Sequence, residues 1–78
     1  MKAEILKNHI GDNVRVSFIS EDEVLTQTNE GLKFVIQKCI RTIEGNVFLH
    51  ESQEMILQND GTVTCFNNKN LEIKLEVL

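Results

Sequence analysis

Seventy-eight residues, 41% hydrophobic and 26% charged, make one ordinary globular domain spanning residues 1–78, too short to bury a large core. A core of this size supplies roughly 3–5 kcal/mol of net stability, so self-association is an expected supplement. A net charge of −4 and a pI near 5.0 disfavour nucleic acid, which selects a basic face, and are too modest for a mimic of DNA.

Proline, tryptophan and tyrosine are absent, which argues against an aromatic-lined peptide groove. Two cysteines with no paired framework, Cys39 and Cys65, suggest a reducing cytoplasm. The N-terminus has no apolar core of the signal-peptide kind, and no run approaches the roughly 18 apolar residues of a membrane span. Neither a leader nor a membrane partner is therefore expected.

Lys2 to Ile10 reads as a short helix, with Ala3, Leu6 and Ile10 on one stripe and Gly11 placed to end it. Ile5 breaks the stripe, so an N-terminal strand is the alternative. After a turn at Gly11-Asp12-Asn13, Val14, Val16 and Phe18 alternate with Arg15 and Ser17, the period-two pattern of a strand with one wet face. Ser20-Glu21-Asp22-Glu23 reads as an acidic turn, followed by a weaker strand, Val24 to Thr28. Asn29-Glu30-Gly31 closes that hairpin.

Leu32 to Ile43 is long for one strand, and its phase drifts. Leu32, Phe34 and Ile36 share a face, but Lys38 then falls where an apolar residue belongs. A bulge near Gln37-Lys38 would restore the phase and bend the strand, as in small closed barrels. Glu44-Gly45-Asn46 is expected to turn the chain, with Val47 to His50 returning. At Glu51 to Glu54 the choice lies between a short helix capped by Ser52 and a loop feeding a strand at Met55, and the strand is preferred.

Met55 to Leu78 carries the cleanest pattern. Asn59-Asp60-Gly61 fits a three-residue loop with Gly61 left-handed in a bulge, which pairs Leu57 with Val63 and Met55 with Cys65. A two-residue loop would instead pair Leu57 with Thr64. The bulged register gathers four apolar side chains on one face and leaves Ile56, Gln58, Thr62 and Thr64 opposite, so burial is expected to select it. Leu71, Ile73, Leu75 and Val77 then alternate strictly with Glu72, Lys74 and Glu76 in a third strand of the same meander. Its turn, Asn67 to Asn70, admits two registers, and they differ in whether the meander is dry on one face or partly apolar on both.

The sum is a mainly β chain: a small antiparallel barrel or sandwich, of SH3-like, Sm-like or OB-like size, with six or seven short strands and a short N-terminal helix. Ile10-Gly11-Asp12-Asn13-Val14-Arg15-Val16 resembles the opening of Sm-like and other SH3-like small barrels. Ile40-Arg41 and Glu44-Gly45-Asn46-Val47 resemble the second Sm motif, with extra residues between arginine and glycine. The Asp-x-x-Met-Asn element of the Sm RNA pocket is missing. The resemblance covers at most half the chain and implies a small barrel.

Candidate sites are few. His9, His50, Cys39 and Cys65 are zinc-ligand types, but their spacing is not that of a zinc site, and two core cysteines with two surface histidines is the plainer reading. Glu21, Asp22 and Glu23 lack the alternate spacing and central glycine of a calcium loop and read as a solvated tip able to steer a basic partner. Arg15, Lys33, Lys38 and Arg41, interleaved with Phe18 and Phe34, would suit single-stranded nucleic acid, although the phenylalanines share phase with the core. No nucleophile elbow, phosphate loop, dinucleotide fingerprint or His-Glu-x-x-His occurs, and no cofactor is implied.

The expectation is therefore a non-enzymatic cytoplasmic module that works through protein contacts, as a dimer or other homo-oligomer. An accessory or inhibitor protein, for instance of a phage, suits the size. A nucleic-acid-binding protein and a nucleotide-capturing protein are the alternatives.

Overall fold

The strand begun by Val14, Val16 and Phe18 does not end at the acidic run. In the computed structural model, which describes residues 1–78, β1 continues from Asn13 to Thr28, turns at Asn29-Glu30, and returns as β2 from Gly31 to His50. The two pair in one unbroken antiparallel register, from Asn13 with Asn46 at one end to Thr28 with Gly31 at the other. The remaining strands are β3 (Gln53–Gln58), β4 (Val63–Cys65) and β5 (Ile73–Val77), and the five make a single open sheet in the order β4-β3-β2-β1-β5.

Several expectations change here. The sheet does not close into a barrel, and it has five strands rather than six or seven. Glu21, Asp22 and Glu23 lie inside β1, not at a turn, and β2 runs straight through both Gln37-Lys38 and Glu44-Gly45-Asn46 without a bulge or a reversal. The phase drift in β2 has another cause. Ile43, Gly45 and Val47 face the core, whereas Leu32, Phe34 and Ile36 lie beyond it, where no buried surface fixes which face is apolar.

Gly45 is required by close approach, not by turning. A Cβ there would overlap the Leu57 carbonyl and lie 2.9 Å from Ile56 Cγ2.

The inner face of the sheet carries Val14, Val16, Val47, Ile56 and Ile73, all buried. Ala3 and Leu6 cover it from a 3₁₀ helix, Ala3–Asn8, which occupies part of the Lys2 to Ile10 stretch. In a 3₁₀ helix residues three apart eclipse, so Ala3 and Leu6 share the buried side and Ile10 falls outside it, exposed. Phe66, just beyond β4, reaches the same core and meets Phe18 of β1 edge to face, with ring centroids 5.0 Å apart. The sheet thus curls about its inner face without its edges pairing.

The hairpin at Asn59-Asp60-Gly61 has the bulged register, Leu57 with Val63 and Met55 with Cys65, and Gly61 is left-handed at φ +88°. The Gly61 N–H donates to the Gln58 carbonyl and the Thr62 N–H to the Asp60 carboxylate. Burial does not select this register, however. Ile56 is the fully buried member, while Leu57 and Val63 are exposed on the outer face. Turn chemistry sets the register, and the core takes the face with fewer apolar residues.

The expected third strand of the meander goes elsewhere. β5 pairs with β1, placing Val77, Leu75 and Ile73 beside Val14, Val16 and Phe18, so neither register proposed at Asn67 to Asn70 occurs. The N-terminal residues hold the crossing segment: the Ala3 N–H donates to the Leu71 carbonyl at 2.8 Å, Glu4 N–H to Lys69 at 3.1 Å, and Ile73 N–H to Met1 at 2.7 Å. Between β2 and β3 the chain reverses at Glu51-Ser52, both with positive φ (50° and 65°), the pattern of a type I′ hairpin turn. No helix is long and apolar enough to cross a membrane.

Candidate functional site

Beyond Phe18 on β1 and Arg41 on β2, the hairpin pairs with no other strand. β5 pairs with β1 only as far as Phe18, and β3 begins pairing with β2 only at Gly45. The outer two thirds of the hairpin therefore stands off the body as a two-stranded arm, about 30 Å long at ~3.4 Å per residue. It gives the molecule its long axis, 50 Å against 26 and 24 Å.

Side chains alternate between the arm's two faces. The face continuous with the core side carries Ser20 with Cys39, Asp22 with Gln37, Val24 with Val35 and Thr26 with Lys33: polar apart from one valine pair. The outer face carries Ile19 with Ile40, Glu21 with Lys38, Glu23 with Ile36, Leu25 with Phe34 and Gln27 with Leu32. Its six large apolar side chains are all more than half exposed, Phe34 at 71% and Ile40 at 79%. Taking ~150 Å² for each fully exposed, they present on the order of 600 Å² of apolar surface, the upper end of what a monomer normally shows.

The residues singled out by sequence do not gather into one site. Arg15 and Lys38 lie on the outer face, and Lys33 and Arg41 on the other. Three of the four are matched by acids. Arg15 donates to Glu44 at 2.7 Å and to Glu76 at 3.2 Å, and the Glu44 carboxylate raises the guanidinium pKa further. Lys38 lies 3.7 Å from Glu21, and Lys33 pairs with Glu30 beside the tip. Glu21 and Glu23 share the outer face, and Asp22 points to the opposite one.

Phe18 is half-buried against Phe66, but Phe34 is exposed, against the expectation that both would be in the core. Cys39 is exposed on the arm rather than buried, and Cys65 is half-buried with its Sγ accepting from Gln53. His50 is exposed, while His9 is half-buried with Nδ1 3.2 Å from Asp12. No three histidine, cysteine or acidic side chains cluster closely enough to hold a metal ion.

What the site consists of, then, is Ile19, Leu25, Leu32, Phe34, Ile36 and Ile40, of which sequence reasoning put Leu32, Phe34 and Ile36 on one apolar strand face, with Phe34 in phase with the core, and did not single out the others. A signal for them existed. Folding the sequence about Asn29-Glu30 as one hairpin matches Leu25 to Phe34, Val24 to Val35, Glu21 to Lys38, Ile19 to Ile40 and Val16 to Ile43. Apolar meets apolar and charge meets counter-charge, the cross-strand complementarity that stabilises a ribbon.

The surface grooves are shallow and open; the one at the root of the arm is lined by Phe18, Ile19, Ile40 and Ile73. Comparison with family models, characterised proteins and solved structures gives no match.

Proposed function

We propose that this chain is a non-catalytic binding module that acts through protein contacts, with the arm as the contact element. One observation carries the reading: six large apolar side chains are presented together on one face of a ribbon that contributes nothing to the buried core. An isolated two-stranded hairpin is marginal in water, so an arm of this length with an uncovered apolar face is built to be covered. Both its edges are also open to further pairing.

The groups capable of chemistry are scattered. His9 sits at the end of the 3₁₀ helix, His50 at a hairpin turn, Cys39 on the polar side of the arm and Cys65 at the far edge of the sheet. That dispersion supports binding over catalysis.

Photo-crosslinking tests the reading. A benzophenone amino acid placed at Phe34 in cells that make the protein forms covalent adducts with a polypeptide. The same group at Val35, on the opposite face, forms few or none. Equal yields at the two positions, or none at either, reject the arm face as a contact surface.

A further inference from the structure

We infer that the arm's outer face is covered by the same face of a second copy of this chain, the two arms lying parallel about a two-fold axis that runs along their length. The inference rests on the arm being the contact element, and names its occupant. A two-fold placed this way, between the two outer faces, sets β1 of one copy over β2 of the other, row for row. Leu25 then faces Phe34 of the second copy, and Ile19 faces Ile40 of the second copy. Glu21 faces Lys38 of the second copy, and the reverse pair repeats it.

Three of the five outer-face rows, Ile19 with Ile40, Glu21 with Lys38 and Leu25 with Phe34, are thereby repeated between copies as apolar or counter-charged matches, while Glu23 comes over Ile36 and Gln27 over Leu32. An antiparallel arrangement centred on the arm sets no charge opposite a counter-charge and brings the two copies of Glu23 together. It sets Glu21 and Lys38 against Leu25 and Phe34 of the other copy, placing charges on apolar surface without partners.

The area also fits. On the order of 600 Å² of apolar surface per copy, before any polar rim is added, approaches the roughly 800 Å² that each partner of a standard interface buries. The charged side chains do not obstruct the packing, because both strands of the arm are edges and long side chains reach water from a ribbon's margin. The opposite face, with a single valine pair between Asp22, Gln37, Thr26 and Lys33, offers no comparable surface.

Mass measurement by light scattering across the micromolar range, with distance measurement between arm tips, decides the matter on the full chain. The wild type is expected to be a dimer. Phe34→Glu raises its dissociation constant by at least about thirtyfold, the loss expected at an interface hot spot, while the variant still unfolds in one cooperative transition. Val35→Glu leaves the dimer intact. A spin label at Asn29→Cys, with Cys39 and Cys65 replaced by serine, reports tips within about 20 Å of each other, given facing ribbons ~10 Å apart.

A dimer that survives Phe34→Glu, or tips separated by about the 30 Å length of an arm, overturns the parallel pairing. A monomer throughout the range also overturns it. If a monomer nevertheless crosslinks from position 34 to another polypeptide, the contact role stands and only the second copy is wrong. A monomer with no such adduct removes both.

Discussion

Phe18 and Phe66 meet edge to face across the core, their ring planes at 87°. The two residues belong to opposite regions of the sheet, β1 near one edge and the end of β4 at the other. Their contact is therefore what holds the curl of the sheet over the 3₁₀ helix. Phe66 is among the eight side chains of the buried core. Phe66→Ala should cost about 3–5 kcal/mol, comparable to the whole stability of a core this small. Urea denaturation is expected to find the variant largely unfolded at room temperature.

Gly45 is a second point at which the body tolerates nothing larger. A Cβ there meets backbone of the neighbouring strand, which cannot rotate away as a side chain can. Gly45→Ala should therefore destabilise by about 2 kcal/mol or more, against the gain that alanine for glycine gives in an unobstructed strand. A fall in the denaturation midpoint at constant slope would show it.

The turn at Glu51-Ser52 holds two L-residues at positive φ, where the chain favours asparagine and glycine. Replacing the pair with Asn-Gly relieves that strain and should stabilise by roughly 1 kcal/mol, or about 4–8 °C in melting temperature for a domain of this size. Calorimetry reads the shift directly, and an unchanged or lower melting temperature would contradict the assignment of a type I′ turn.

Glu54 and Lys69 tie β3 to the segment that crosses between β4 and β5, with Lys69 Nζ 2.7 Å from the carboxylate. That hydrogen bond holds the Glu54 pKa below its usual 4.5. A carboxylate with a depressed folded-state pKa binds protons more readily when unfolded, so its contribution is present above the unfolded value and is lost as pH falls through the folded one. Asp60, lowered by the Thr62 N–H, acts in the same direction. Stability should fall as pH drops below about 4.5, and Glu54→Gln should flatten part of that fall when melting is followed against pH.

The arm is separable from the body. All eight core side chains lie outside residues 19–40. Excising Ser20 to Cys39 and closing Ile19 to Ile40 with Asn-Gly should leave a chain that unfolds cooperatively, within about 1 kcal/mol of the parent if the parent is compared as a monomer. Loss of the cooperative transition would show that the arm supports the fold.

The residues by themselves determined what is local. The mainly β character follows from period-two runs such as Val14 to Phe18, and the Leu57 with Val63 register follows from the turn chemistry of Asn59-Asp60-Gly61. The tip at Asn29-Glu30 is local as well. Ala3 and Leu6 could be placed on a buried stripe because both lie within two turns of one short helix. The tertiary structure decided everything that depends on what lies opposite a strand. The same alternation in Leu71 to Val77 serves beside β4 or beside β1, and only the geometry of the core sends it to β1. Gly45 reads as a turn until the Leu57 carbonyl is seen against it. Leu32, Phe34 and Ile36 read as core because apolar alternation reports a face that wants covering, not what covers it. Burial is a property of two surfaces brought together, and a strand's sequence describes one of them. On the arm the second surface is absent from the chain's own fold, which is why Phe34, in phase with the core by sequence, stands exposed in the structure.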